Sequence, residues 1–272
     1  MQDHPRETNP ALDDKAEAFD LAFKLGLDRF PVWTLGDVGR VAVFFFLAAL
    51  FFGVLAVLIA SGLPAFRAVP SSRIATDPRL IVPAQFAAYA ATFWFVYRMI
   101  ARHYGVPFAE GIRWRWPGLY WPAYIGLGVI LAFVVTALQN MLPMPSEVPF
   151  EKYLRNPSGI WVLAIFATAL APFAEEIFFR GLLYPSLSKR YSVGAGIVGT
   201  SVFFALLHGT QLAWHWAPLL ILFLVGLSLT LVRAWARSVA ASALMHVSYN
   251  ATLFVFMYVA TAGFRHLEKV SH

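Results

Sequence analysis

The sequence predicts an all-α fold, a polytopic transmembrane helical bundle of about seven to eight spans. Three observations predict it. Apolar residues fill 59% of the 272 positions and charged residues only 13%, where a soluble domain carries roughly 25% charged residues. The apolar residues gather into runs of bilayer-spanning length, roughly 20 residues each. Lysines and arginines fall mostly between those runs and alternate in number from one loop to the next.

Residues 1–40 form a polar arm of mixed charge, placed in the cytoplasm or at the membrane interface. Within it, Ala16–Leu27 predicts an amphipathic surface helix, with a partly disordered tail as the alternative. No cleavable leader is expected, because the first apolar run begins only near Val41 and is too long for a signal core. Seven spans follow: Val41–Leu63, Leu80–Ile100, Trp121–Leu142, Ile160–Leu183, Val193–His208, Trp216–Arg233 and Ala240–Ala262. The eighth candidate is a re-entrant or interfacial element over Ile112–Tyr120, whose Arg113-Trp114-Arg115-Trp116 run reads as an interfacial anchor. Pro143–Gly159 is a proline-rich polar loop. The chain thus divides into the arm, N-terminal transmembrane helices over 41–150, and a segment over 151–272 that holds the chemistry-bearing residues. No internal repeat and no soluble domain stand out.

The arm and the loops after spans two, four and six hold 14 of the 21 lysines and arginines, counting Arg180, and the other side holds 7. The positive-inside rule then puts the N-terminus in the cytoplasm and the C-terminus outside. The net charge of +6 fits cytoplasmic loops and anionic lipid better than nucleic acid. Cysteine is absent, which excludes disulfides, thiolate metal sites and cysteine nucleophiles.

Of the 15 acidic residues, only Glu175 and Glu176 lie inside strongly apolar sequence. Ionisable groups at membrane depth are costly and point to function. Glu176 and Arg180 are four apart, so they share a helix face and can pair. Glu175 sits about 100° round the helix, faces elsewhere, and is free for chemistry. Pro172 removes one backbone hydrogen bond and predicts a kink that opens space near Glu175. The alternative is a packing network at the cytoplasmic end, with Arg180 reaching the interface.

Two further spans each carry a histidine. Phe204 and His208 share one face of span five, where Gly194, Gly196 and Gly199 predict close approach to a neighbour. His246 and Asn250 share one face of span seven, with interhelical hydrogen bonding as the alternative to chemistry. Counted from the inner span ends, Glu175 lies at about 12 Å, His246 at about 10 Å, Asn250 at about 15 Å and His208 at about 20 Å. His208 is therefore expected to be out of level unless its helix tilts or begins later.

Glu175-Glu176-x-x-x-Arg180, Phe204-x-x-x-His208 and His246-x-x-x-Asn250, in that order, resemble the three motifs of the CAAX-protease and bacteriocin-processing family, which includes the prenyl-protein endopeptidase Rce1. The resemblance covers roughly 160–260. It implies an intramembrane endopeptidase acting on a membrane-associated peptide or protein that is membrane-embedded or lipid-modified. It implies Glu175 as the base that activates water and His208 as the group that positions that water. His246 and Asn250 would stabilise the oxyanion, with Glu176 and Arg180 supporting. Such chemistry needs a base, a held water and donors aimed at the developing charge. Glu175, His208 and His246 also form a His₂Glu set of the kind that holds zinc, so the sequence leaves a metalloprotease and a metal-free glutamate mechanism both open. The implied location is a bacterial cytoplasmic (inner) membrane.

Other intramembrane protease types are excluded or left weak by the text. No His-Glu-x-x-His helix is present, and no aspartate falls within a predicted span. A dyad built on Ser201 would leave Glu175, Glu176 and Arg180 without a purpose. Two readings from other classes remain: a non-catalytic membrane scaffold or immunity protein of the same fold, and a transporter with a Glu/His proton relay, the latter weakened by the lack of repeat halves.

Overall fold

The computed structural model describes residues 31–66, 69–145, 149 and 160–265. The surface helix expected over 16–27 and most of the loop over 143–159 lie outside these residues. The described chain is helical, with seven main helices: α1 Leu35–Gly62, α2 Pro78–His103, α3 Trp121–Met141, α4 Ile160–Arg190, α5 Val193–Leu207, α6 Trp216–Ala236 and α7 Val239–Ala260. Six are long and apolar enough to cross a membrane, and α5 is shorter. At 15 residues it rises about 22 Å, less than the roughly 30 Å of hydrocarbon.

Each helix coincides with a predicted span, and the differences at the ends have local causes. Helix α1 begins six residues before Val41, because Thr34 and Asp37 form a capping box: the Thr34 N–H donates to Asp37 Oδ2 at 2.9 Å and the Asp37 N–H to Thr34 Oγ1 at 3.2 Å. The Tyr104 hydroxyl donates to the same Asp37 oxygen at 2.6 Å, which ties the start of α1 to the end of α2. That bond to a carboxylate pushes the Tyr104 hydroxyl pKa up.

No re-entrant helix forms over Ile112–Tyr120. The segment is an irregular connector that ends in a single 3₁₀ turn, Gly118–Tyr120. Its first half packs into the bundle: Ile112 and Arg113 are buried, the Arg113 carbonyl accepts the Val239 N–H at 3.1 Å, and the Arg115 carbonyl accepts the Ser238 hydroxyl. Within the Arg113–Trp116 run, Arg115 and Trp116 keep the exposure expected of an interfacial anchor.

Small residues set the helix spacing. A Cβ on Gly128 of α3 would overlap the Met245 carbonyl and the Ser248 hydroxyl of α7, and one on Gly196 of α5 would overlap Ser188 of α4. Gly199 meets Leu187, whereas Gly194 meets no neighbouring helix. Gly128→Leu is expected to force α3 from α7 and destabilise the fold by about 1–3 kcal/mol or more, read as a lower unfolding midpoint in detergent. Gly194→Ala is the control expected to leave that midpoint in place.

Candidate active site

Helix α4 carries the paired glutamates on a short α-helical stretch, Ala171–Glu176, between two π-helical stretches, Phe166–Leu170 and Ile177–Leu183. A proline follows the close of each. The Ala171 N–H bonds the Phe166 carbonyl, so in this wider register the Ala167 carbonyl would await an N–H from position 172. Pro172 has none. Asn250 Nδ2 of α7 donates to that carbonyl at 2.8 Å. The pattern repeats below the glutamates. The Tyr184 N–H bonds the Phe179 carbonyl, Pro185 cannot serve the Arg180 carbonyl, and Arg233 Nε of α6 donates to it at 3.1 Å. Single π turns of this kind are frequent at functional sites. Here they hold the glutamates in place by bonds from two other helices.

Glu176 and Arg180 are fully buried. Arg180 Nη1 donates to Glu176 Oε1 at 2.8 Å, Nη2 to the Gly226 carbonyl at 2.9 Å, and Nε to Thr230 Oγ1 at 3.3 Å. The guanidinium carbon also lies 4.8 Å from the Phe204 ring centre. Arg180 therefore does not reach the interface. It is the hub that joins α4, α5 and α6; its pairing with Glu176 is the one the spacing predicts, and its two acceptors on α6 are the residues that sequence reasoning missed. Gly226 and Thr230 are four apart on α6, the spacing that could have found them. Arg233, read as loop charge, is also buried, with its guanidinium 5.6 Å from the Tyr184 ring centre.

His246 completes the centre. Its Nδ1 lies 2.9 Å from Glu176 Oε1, and its Nε2 lies 3.8 Å from Glu175 Oε2. An ionised carboxylate can only accept, so Nδ1 carries a proton, and the other ring nitrogen, Nε2, faces Glu175. Glu176 is thus the outer acceptor that orients His246, a partner the sequence did not reveal. Glu176 Oε2 has no hydrogen-bond partner among the described residues. Glu175 keeps 17% side-chain exposure, so it is the carboxylate that a water or substrate can reach.

His208 caps the end of α5. Its Nδ1 donates to the Phe204 carbonyl at 2.9 Å, which again leaves Nε2 as an acceptor. Its ring meets Phe204 at 5.0 Å between centres, and Phe204 in turn meets His246 at 5.9 Å. The expected depth mismatch disappears because α4 continues past Leu183 to Arg190. Counted from the α4–α5 turn, Glu175 and His208 are each 15 residues along their helices, about 22 Å.

The structure therefore joins Glu175, Glu176, Arg180, Phe204 and His246 into one network and brings His208 to it through Phe204. It turns one donor of Asn250 to the α4 backbone. Among the described residues no three His, Asp or Glu side chains close into a metal-binding group.

Residues 157–252 match the family model described as Rce1-like, type II CAAX prenyl endopeptidase. The match takes in α4 to α6 and most of α7, with every side chain of the network, and leaves α1 to α3 outside. No curated protein and no solved structure matches the chain. Over these helices the chain is similar to the Rce1-like type II CAAX prenyl endopeptidases, and its long apolar helices are those of an integral multi-pass membrane protein.

Proposed function

We propose that this protein hydrolyses a peptide bond in a membrane-embedded or lipid-modified substrate, with Glu175 as the general base. One observation carries the reading. Glu175 is the accessible carboxylate of the pair, and the imidazole beside it is oriented by a second carboxylate that Arg180 already neutralises. Glu175 takes a proton from water as the hydroxide forms a bond to the scissile carbonyl carbon. The protonated Glu175 then returns that proton to the departing amine nitrogen as the carbon–nitrogen bond breaks. His208 Nε2 accepts the water's other hydrogen and positions it. His246, held by Glu176 through Nδ1 and facing Glu175 through Nε2, keeps the oxyanion role that the resemblance implies. Asn250 keeps one amide hydrogen beyond its bond to Ala167, and that hydrogen serves the oxyanion.

In this reading the membrane is a bacterial inner membrane with the N-terminus in the cytoplasm, an orientation supported by the basic residues at the ends of α2, α4 and α6. The substrate is a membrane-associated peptide or protein with its cleavage site inside the bilayer or at its surface.

The test compares protein termini in membranes and medium from cells carrying the wild type or Glu175→Gln at matched expression. Specific termini are expected in the wild type only. Coincident profiles would leave a non-catalytic membrane protein of this fold. Metal analysis of the active, purified protein separates the mechanisms: cleavage with stoichiometrically negligible zinc is expected, and activity that tracks bound zinc would overturn the metal-free route.

A further inference from the structure

Helix α5 stops short of its neighbour. Its 15 residues rise about 22 Å, whereas α6, which runs back beside it, has 21 residues and rises about 31 Å, enough to cross the hydrocarbon. The last roughly 8 Å of that depth is crossed by the connection between them, a 3₁₀ turn over Gly209–Leu212 followed by Ala213, Trp214 and His215. Irregular backbone at membrane depth is tolerated where it is buried in protein or lines a water-filled space. This connection is not buried. Thr210, Gln211, Ala213, Trp214 and His215 are all exposed. Threonine and glutamine side chains set against lipid tails would lose their hydrogen bonds to water without replacement.

The connection also holds a shape that its residues do not favour. Ala213 and Trp214 both take left-handed backbone, with φ of 49° and 59°. The Trp214 ring lies on Gly209, where a Cβ would stand 2.5 Å from it. The Trp214 N–H donates to the Gly209 carbonyl at 2.8 Å, and the Gln211 and Leu212 N–H groups donate to the His208 carbonyl at 3.0 and 3.2 Å. Backbone strain gathers at functional sites. Here it fixes the turn that begins at His208, whose ring leads through Phe204 to His246 and so to Glu175.

Hydrolysis consumes water, and hydrocarbon supplies none. We propose that the α5–α6 connection is the aqueous mouth of the active site: a water-filled recess, walled by Trp214 on Gly209, through which water passes Thr210 and Gln211 to His208. The inference rests on the protease reading for what that water does. It gives the shortness of α5 a purpose, because further apolar turns beyond His208 would seal the histidine from water.

The chain has no cysteine, so a single introduced thiol is the only one a reagent can find. Thr210→Cys, Gln211→Cys and His208→Cys are made one at a time in the full-length protein. Two comparisons accompany them. Val255→Cys lies on an exposed apolar surface of α7, about 24 Å from the start of that helix and so at the depth of the connection. Tyr191→Cys is exposed at the α4–α5 turn, on the opposite membrane face. Sealed membrane vesicles of each orientation are treated with a charged, membrane-impermeant thiosulfonate. A thiol reacts as its thiolate, which apolar surroundings suppress, so the thiols at 210 and 211 are expected to react at least about 10-fold faster than the one at 255. The thiol at 208 is expected to react from the same face as those at 210 and 211, and the thiol at 191 from the other. Thiols at 210 and 211 as slow as the one at 255 overturn the inference, because the connection then does not face water. A thiol at 208 that reacts from neither face, or from the face that labels 191, also overturns it, because water then does not reach the site through this mouth. None of these readouts uses cleavage, so such a failure leaves the protease reading standing. Terminus profiles that do not change with Glu175→Gln overturn the protease reading itself, and this inference with it.

Discussion

Glu175→Gln is expected to abolish cleavage while the protein folds and inserts as the wild type does. The side chain is only partly buried, it makes no close ion pair, and His246 Nε2 stands 3.8 Å away. An amide of the same shape fits that space, so the unfolding midpoint should not move. The amide has no basic oxygen to take a proton from water. Loss of a positioned general base costs typically about 10²–10⁴-fold, and the loss here should reach the upper part of that range because no second free carboxylate adjoins the site among the described residues. Glu176 cannot substitute. It is fully buried and already accepts from Arg180 and His246. The readouts are single-turnover cleavage of a peptide from the terminus comparison and thermal unfolding of the same preparation. Full activity in a well-folded Glu175→Gln protein would falsify the assigned role.

Arg180→Ala is expected to act through stability first and activity second. The substitution leaves Glu176 as a buried charge without its guanidinium, and it removes one donor from the Gly226 carbonyl, which keeps the Thr230 hydroxyl, and the Nε donor from Thr230 Oγ1. Breaking a buried pair by removing one partner costs about 3–5 kcal/mol. The expected outcome is poor yield and a markedly lower unfolding midpoint. Arg180→Lys should rescue little, because one ammonium cannot reproduce the planar fork that reaches three acceptors on two helices. The double variant Glu176→Gln with Arg180→Met separates the two effects. It removes both charges, so much of the stability should return. Cleavage should stay slow, since a glutamine orients His246 more weakly than a carboxylate does. A double variant as unstable as Arg180→Ala would show that the bonds to Gly226 and Thr230, not the orphaned charge, carry the loss.

The sequence by itself determined the class of the molecule and the identity of its reactive side chains. Apolar runs are long-range composition, legible without a fold, and all seven predicted spans became helices. The four-residue spacings in Glu176/Arg180, Phe204/His208 and His246/Asn250 are properties of one helix, so they too could be read from the text. Only the tertiary structure decided what those side chains face. It gave Glu176 a second partner in His246, sent one donor of Asn250 to Ala167, and buried Arg113 and Arg233, which read as interfacial or loop charge. The physical reason is the same in each case. A hydrogen bond between helices depends on which faces meet and at what depth, and depth here was set by α4 running on to Arg190 through two π-helical stretches. Those stretches change the register by which carbonyls find their donors, and a single chain of letters does not carry that register.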